Sequence, residues 1–149
     1  MDTNRKKYKP ALSYDWLTPL YDSLIRLTMP ETKFKRQLID QARIEKGQRV
    51  LDLGCGTATL TILMKRIQPG AEIVGLDGDP KILKIAKLKA AKARVDIILK
   101  HTMAFDIPYP DASVDSVLSS LVFHHLTRRI KAALYRKCIE SCALVESCT

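Results

Sequence analysis

Two aspartates and two glycines in the first half of the chain have the types and spacing needed to hold a nucleotide-like ligand. Asp52 lies in RVLDLGCGTATLTIL, shortly before Gly54 and Gly56, and Asp77 lies in VGLDGDP. Glycines one residue apart let a turn approach a ligand without hindrance from Cβ atoms. We expect free N–H groups at the start of the following helix to point at that ligand. For a GxG pair alone, an ordinary tight turn is the structural alternative.

The residues around the glycines select among nucleotide ligands. A dinucleotide site favours a third glycine at the position that Thr59 occupies here. A carboxylate just before the turn, as at Asp52, repels a diphosphate and attracts an amino group. Asp77 could accept hydrogen bonds from both hydroxyls of a ribose. A ligand with an adenosine at one end and an ammonium group at the other therefore suits both aspartates better than NAD(P), and an NAD(P)-dependent Rossmann oxidoreductase is the alternative enzyme.

Strands and helices must alternate to position these residues. The apolar spacing predicts two leading helices over 17–27 and 33–44, strands over 49–53, 72–76, 95–99 and 114–121, helices over 57–67 and 81–93, and a last helix from about 127. Asp79 and Pro80 are typical of an N-cap and a first helical residue. This alternation predicts an α/β fold with a parallel sheet, and it places the GxG turn at the carboxyl end of the first strand.

Composition and charge limit the classes of function and the cellular location that the sequence favours. Lys and Arg number 25 against 16 acidic residues, giving a net charge of +9. The basic residues are scattered and lack interleaved aromatic residues, so a solvated surface is favoured over nucleic-acid binding. A non-catalytic basic binding module stays open as an alternative function. No run of 18 apolar residues and no signal peptide is visible, which favours a cytoplasmic protein without a transmembrane segment.

The cysteines do not indicate a metal or disulfide site. They are Cys55, Cys138, Cys142 and Cys148. Their spacing contains no CxxC pair and is not typical of structural zinc. We therefore predict neither a metal nor a disulfide framework.

Four segments resemble, in order, the motifs of a known family. They are YDWLTPLYDSL, VLDLGCGTATLT, VGLDGDPKILKIAKLKA and MAFDIPYPDASVDSVLSSLVFHHL. Together they resemble class I S-adenosylmethionine-dependent methyltransferases, and most closely the ubiquinone/menaquinone-biosynthesis (methyltransferase type 11) group. The resemblance implies a Rossmann-like domain that binds S-adenosyl-L-methionine and methylates a small-molecule or lipid/quinone-type acceptor. Phospholipid head groups, other small lipids and arsenite are acceptors of similarly built enzymes, so the substrate stays open.

The resemblance also implies which residues line the cofactor pocket. They are Asp52, Gly54, Gly56 and Thr57 at the methionyl end, Asp77 at the ribose, Met103 and Ala104 along the adenine, and Ser120 after the fourth strand. Two positions depart from the family pattern. Ala58 stands where a glycine is common, and Met103 stands where a polar residue is usual, which leaves backbone contacts to read the adenine edge.

Residues near the fourth strand and in the leading helix are candidates for binding the methyl acceptor or removing a proton from it. His124 or His125 could act as a general base if the acceptor must lose a proton, with a capping or core role as the alternative. Tyr14 and Tyr21 could form part of a lid, or they could simply pack the first helix on the domain. No catalytic residue is assigned beyond these candidates.

The resemblance divides the chain into three segments. Residues 1–46 are predicted as N-terminal helices on the lid and substrate side, 47–134 as the N-terminal part of the cofactor-binding domain, and 135–149 as a tail outside the family pattern. In the family's strand order, 3-2-1-4-5-7-6, the chain would supply 3-2-1-4 and lack 5-7-6. The fourth strand, SVLSSLV, would then be an open apolar edge that favours self-association.

The tail YRKCIESCALVESCT suggests a slipped reading frame. One permitted set of codons, with a single G added after the second, reads YREVYRVLRPGGELH, which resembles the helix end and Pro-Gly-Gly turn of the family. Under this hypothesis Cys138, Cys142 and Cys148 are accidental residues, and the short chain binds the cofactor weakly or is inactive.

Overall fold

The computed structural model describes residues 31–119 and 126–146 of the chain. Thr32–Thr149 form one compact unit. The predicted first helix, with Tyr14 and Tyr21, lies outside the described residues, as do Ser120, His124 and His125. In the described part, no helix is both long enough and apolar enough to cross a lipid bilayer.

Helices and strands alternate along the described chain. In order they are α1 (Glu31–Ala42), β1 (Arg49–Leu53), α2 (Thr59–Ile67), β2 (Glu72–Asp77), α3 (Pro80–Ala93), β3 (Ile98–His101), β4 (Val114–Ser119), α4 (Arg128–Lys137) and β5 (Cys138–Glu146). The strands form one sheet in the order β3-β2-β1-β4-β5, and every neighbouring pair is parallel. The predicted Rossmann-like α/β architecture and the strand order 3-2-1-4 are confirmed.

The expectation that the fourth strand is an open edge is wrong. Cys138–Glu146 form a fifth strand that pairs with β4, with Ser116 opposite Ala143 and Ser119 opposite Glu146. The register is irregular between Val114 and Ser116, where five steps along β5 accompany two along β4. The tail contains the apolar residues Ile139, Leu144 and Val145, which suit a sheet, so it can cover β4 although it lacks the Pro-Gly-Gly turn of the family.

Cys138, near the start of the tail, is buried. It is only 9% exposed and belongs to a core cluster with Leu134 and Val114. It therefore packs as a small apolar side chain at the point where α4 passes into β5.

The helix predicted over 33–44 spans Glu31–Ala42, and two further predicted boundaries are wrong for identifiable reasons. α2 begins at Thr59 instead of 57, because Gly56 and Ala58 both have positive φ and cannot belong to a right-handed helix. β3 begins at Ile98 instead of 95, because the N–H of Val95 donates to the carbonyl of Ala90 and so belongs to the end of α3.

The two faces of the sheet bury different clusters, because side chains alternate along β1. Val50 packs with residues of α1 and α2, including Leu38, Ile39 and Met64. Leu51 and Leu53 point to the opposite face, in a cluster that contains residues of β4 and α4. Asp52 follows Val50 by two positions, so it lies on the face that α1 and α2 cover.

Candidate cofactor site

The turn after β1 is held to β2 by its own backbone. The N–H groups of Gly54 and Cys55 both donate to the carbonyl of Leu76, at 2.8 and 3.0 Å. Gly54 and Gly56 have φ values of 69° and 56°, a conformation that glycine adopts without strain. The glycines are thus required by the turn itself, and their spacing fits the predicted close approach to a ligand.

The N–H groups of Gly54, Cys55 and Gly56 all have partners within the protein. Besides the two bonds to Leu76, the N–H of Gly56 donates to Oδ2 of Asp77 at 2.9 Å. Three donors that a GxG turn could offer to a ligand are therefore used inside the protein. Gly56 leaves room for a ligand, since a Cβ built on it meets nothing within 4 Å.

Asp77, at the end of β2, connects the turn with the start of α3. Its Oδ2 accepts from Gly56, and its Oδ1 accepts from the N–H of Asp79 at 2.9 Å. Asp79 in turn caps α3, as predicted, by accepting from the N–H of Lys81 at 2.8 Å. Each carboxylate oxygen has a second lone pair, so Asp77 can still accept from two hydroxyl groups.

Asp52 is a fully buried carboxylate with one unused oxygen. Its side chain is 0% exposed, and its Oδ2 accepts a 2.6 Å hydrogen bond from the hydroxyl of Thr61 on α2. Its Oδ1 has no hydrogen-bond partner within the described residues. A buried oxygen in this state is costly and calls for a donor. It is therefore the strongest local indication of a ligand with N–H groups.

Charges around Asp52 act in opposite directions on its pKa. Burial raises the pKa from 3.8 to about 6, and the negative charge of Asp77 adds to the rise. The hydrogen bond from Thr61 and the positive charge of Lys35 oppose it. Two carboxylates thus concentrate negative charge at the carboxyl edge of the sheet, which suits a cationic ligand.

The threonines after the glycines are tied to α3. Lys89 donates to the hydroxyl of Thr57 at 3.2 Å and to that of Thr59 at 2.5 Å. Ala58 lies between them with φ 61°, fully buried against Ala86 and Ala90. The position where the family commonly has glycine is thus left-handed in this chain, and alanine occupies it.

The loop after β3 lies beside Asp77. The N–H of Thr102 donates to the carbonyl of Asp77 at 3.0 Å, and the carbonyl of Met103 accepts from Asp106 at 2.9 Å. Met103 and Ala104 are partly buried, and Ala104 packs on the core beneath the loop. The structure therefore brings these two residues to the same edge as the glycine turn.

The described members of the predicted pocket thus gather where β1, β2 and β3 end. Sequence reasoning missed two residues that contact or act on Asp52, namely Thr61 and Lys35. Lys35 carried a signal: it occupies the inner face of α1, at helical spacing from the buried Leu38 and Ile39.

This fold and site define the class of the protein. The pattern of the methyltransferase domain family matches residues 50–143, so the chain belongs to that family. It is 34% identical over 124 residues to the demethylmenaquinone methyltransferase of Thermus thermophilus, covering 80% of this chain and 56% of that protein. It is 32% identical over 120 residues to the demethylmenaquinone methyltransferase of Listeria monocytogenes, covering 77% and 50%. The chain spans about half the length of these relatives.

Solved structures with this fold include two methyltransferases. One is a putative S-adenosyl-L-methionine-dependent methyltransferase from Methanococcus maripaludis, with a TM-score of 0.74 and 16% identity, covering 94% of this chain and 68% of that one. The other is a SAM-dependent methyltransferase from Aquifex aeolicus, with a TM-score of 0.66 and 18% identity, covering 79% and 66%. The resemblance to class I S-adenosylmethionine-dependent methyltransferases is confirmed, and it is favoured over an NAD(P)-dependent oxidoreductase.

The residues present fit S-adenosylmethionine, the cofactor of this class. The unused Oδ1 of Asp52 can accept from an ammonium group, and the open space beside Gly56 admits a ligand. The carboxylate of Asp77 stands at the end of the neighbouring strand. A diphosphate would meet two carboxylates here and would be repelled.

Proposed function

We propose that the chain binds S-adenosylmethionine at the carboxyl edge of its sheet and transfers the methyl group to a small-molecule acceptor of quinone or lipid type. The observation that carries the proposal is the buried Oδ1 of Asp52, which has no hydrogen-bond partner among residues 31–119 and 126–146 and lies one strand away from Asp77. The named relatives methylate demethylmenaquinone, which supports a quinone-type acceptor.

Each part of the site has a stated role in this proposal. Asp52 accepts the ammonium group of the cofactor, and Asp77 accepts from the ribose hydroxyls. Gly54, Gly56 and Thr57 shape the turn against the methionyl end. Met103 and Ala104 lie along the adenine with their backbone, and Ser120 closes the pocket.

The protein's task in methyl transfer is alignment. When bound, S-adenosylmethionine would supply a methyl group activated by its sulfonium. The chain must hold the acceptor in line with the methyl group and exclude water. His124 or His125 would take up the proton when the acceptor loses one, and residues 1–46 would contribute to the acceptor side.

Calorimetry on the full chain tests cofactor binding. We expect S-adenosylmethionine to bind and NAD not to bind. Asp77→Ala should weaken binding by about 1.5 to 3 kcal/mol, because charge-assisted hydrogen bonds to the ribose are lost. Asp77→Asn is the milder variant: its single amide oxygen can still accept from Gly56, but its NH2 group would then face the N–H of Asp79, so it should keep one of the two backbone bonds and lose part of the affinity.

Two outcomes would contradict the proposal. Binding of NAD without binding of S-adenosylmethionine would favour the oxidoreductase, and unchanged affinity in Asp77→Ala would remove the ribose role. Transfer of a labelled methyl group to a demethylmenaquinone analogue, measured with and without His124→Ala or His125→Ala, tests the acceptor and the base.

A further inference from the structure

Helix α3 carries a strong excess of positive charge. Residues 80–95 contain five lysines and one arginine and no acidic residue. Lys81, Lys84 and Lys87 follow one another at intervals of three positions, and like charges at this spacing are neighbours that repel each other on a helix. The lysines therefore gain nothing from charge pairs along the helix itself, and their concentration favours an anionic partner.

The solvent side of α3 also exposes two large apolar side chains. Leu88 is 66% exposed and Ile85 is 36% exposed. Because Leu88 follows Ile85 by three positions, the two side chains are neighbours on one helix surface. Leu83, Ala86 and Ala90 are buried, so they lie on the side of the helix that packs on the domain. The exposed pair is therefore available for an apolar contact outside this domain.

Two lysines border this apolar pair. Lys84 precedes Leu88 by one helical turn, and Lys92 follows Leu88 by one turn. Both lysines are exposed. Together with Ile85, these residues form one surface, here named the α3 face. It has apolar side chains at its centre and an ammonium group toward each end.

The α3 face suits the surface of a bilayer that contains anionic lipids. Phosphate head groups attract lysines, and the apolar layer just beneath them takes up leucine and isoleucine side chains. Lysine suits the border between the two, because its alkyl chain lies along apolar surface while its ammonium group reaches the head groups. A nucleic-acid backbone has the same phosphate chemistry but no apolar layer for Leu88 and Ile85, so the apolar pair favours a lipid.

We propose that the α3 face binds the surface of a bilayer that contains anionic lipids, with the helix lying in the plane of the membrane. The helix has 14 residues, five of them lysines, which suits the interface and not the hydrocarbon core. The proposal goes beyond the proposed function and does not depend on it, because the α3 face includes no residue of the candidate cofactor site. Where both hold, the surface keeps the enzyme beside the phase in which an acceptor of quinone or lipid type dissolves.

The test is co-sedimentation of the full chain with vesicles of phosphatidylcholine, either alone or mixed with phosphatidylglycerol. We expect binding to the mixed vesicles that weakens as salt is added, and little binding to phosphatidylcholine alone. Lys84→Gln combined with Lys92→Gln should weaken binding to mixed vesicles about 25-fold, since each lysine near an anionic surface contributes about fivefold. Leu88→Gln keeps the net charge and should weaken binding about tenfold, because an inserted apolar side chain is lost.

The matched control is Arg128→Gln combined with Arg129→Gln, which changes the net charge as much as the lysine pair does. These arginines are exposed on α4, whose Leu134 packs with Leu51 on the face of the sheet opposite Val50. The control should bind mixed vesicles nearly as tightly as wild type. All the replaced side chains are exposed and glutamine is a good helix former, so circular dichroism should be unchanged in every variant.

Four results would overturn the proposal. The first is wild-type protein that binds mixed vesicles no better than phosphatidylcholine alone. The second is Leu88→Gln that binds like wild type, since charge alone would then hold the protein. The third is an equal loss in the arginine control and the lysine pair, which would assign binding to the net charge of the whole protein. The fourth is a lysine pair that loses binding to a DNA duplex and keeps binding to vesicles, which would make nucleic acid the partner of the α3 face.

Discussion

Replacing Asp52 by asparagine should change how the stability of the free protein depends on pH. Burial raises the pKa of this carboxyl from 3.8 to about 6, so the native state keeps a proton that the unfolded state has already lost. Unfolding therefore releases a proton between these two pH values, and the free energy of unfolding falls as the pH rises through this window. At about 1.36 kcal/mol for each pH unit, the full loss is roughly 3 kcal/mol, most of it between pH 4 and pH 7.

Asp52→Asn removes this titration and leaves the shape of the side chain unchanged. The substitution also changes the free energy of unfolding in ways that do not depend on pH, for example by removing a charge near Lys35. These changes are the same at every pH, so they do not affect how the difference between wild type and variant varies with pH. We expect wild-type protein to lose about 2 to 3 kcal/mol relative to Asp52→Asn on going from pH 4 to pH 8. Urea unfolding, followed by circular dichroism at several pH values, measures the effect.

Asp40→Asn is the matched control, because Asp40 is an exposed carboxylate on α1. Its stability should follow that of wild-type protein at each pH. Parallel curves for wild type and Asp52→Asn would refute the reasoning, since they would mean that Asp52 titrates alike in the folded and unfolded chain.

Asp52→Asn should also bind S-adenosylmethionine more weakly at pH 8, because an amide carries no charge to attract the ammonium.

Three further substitutions test the turn and the sheet. Gly56→Val should abolish cofactor binding, because a β-branched residue is strained at φ 56° and its side chain would occupy the open space toward the ligand; binding and circular dichroism lost in equal proportion would instead make the glycine purely structural. Gly75→Ala should lower the free energy of unfolding by about 1 to 3 kcal/mol, because its Cβ would lie 2.8 Å from Leu99 Cδ2 and 2.9 Å from Cys55 Sγ, and an unchanged urea midpoint would contradict this. Cys138→Ser should lower stability by about 1 kcal/mol, since a more polar group replaces a buried thiol, and unchanged stability would favour the view that the tail makes no specific contacts.

Sequence patterns were sufficient for the part of the fold that repeats regularly. The parallel α/β sheet follows from alternating apolar segments, the strand order 3-2-1-4 from the resemblance to the family, and the cap at Asp79 from its residue type and from Pro80. The start of α2 was missed because it depends on the left-handed backbone of Ala58, which nothing in the type of an alanine indicates. The fifth strand was missed because the tail was compared with a family pattern instead of being judged by its own β-forming residues.

The residues of the candidate cofactor site were predicted better than the hydrogen bonds between them. Asp52, Gly56 and Asp77 do gather at one edge, because parallel strands end together. The hydrogen bond from the N–H of Gly56 to Asp77 could not be predicted from the sequence. It joins the ends of β1 and β2, and whether these ends are level depends on the register of the two strands. Lys35 and Thr61 belong to helices packed over Asp52, so their proximity to it follows only from tertiary packing.

The two backbone bonds to Asp77 bear on the kinetics of binding. They fix the glycine turn and the start of α3 before any ligand arrives, so this half of the pocket needs no ordering during the encounter. Binding to a preformed surface spares the entropy of ordering this turn and requires no slow conformational step in this part of the pocket. Adenosyl ligands that differ only in their amino-acid end should therefore associate at similar rates, and the differences in their affinity should be found in how long each one stays bound.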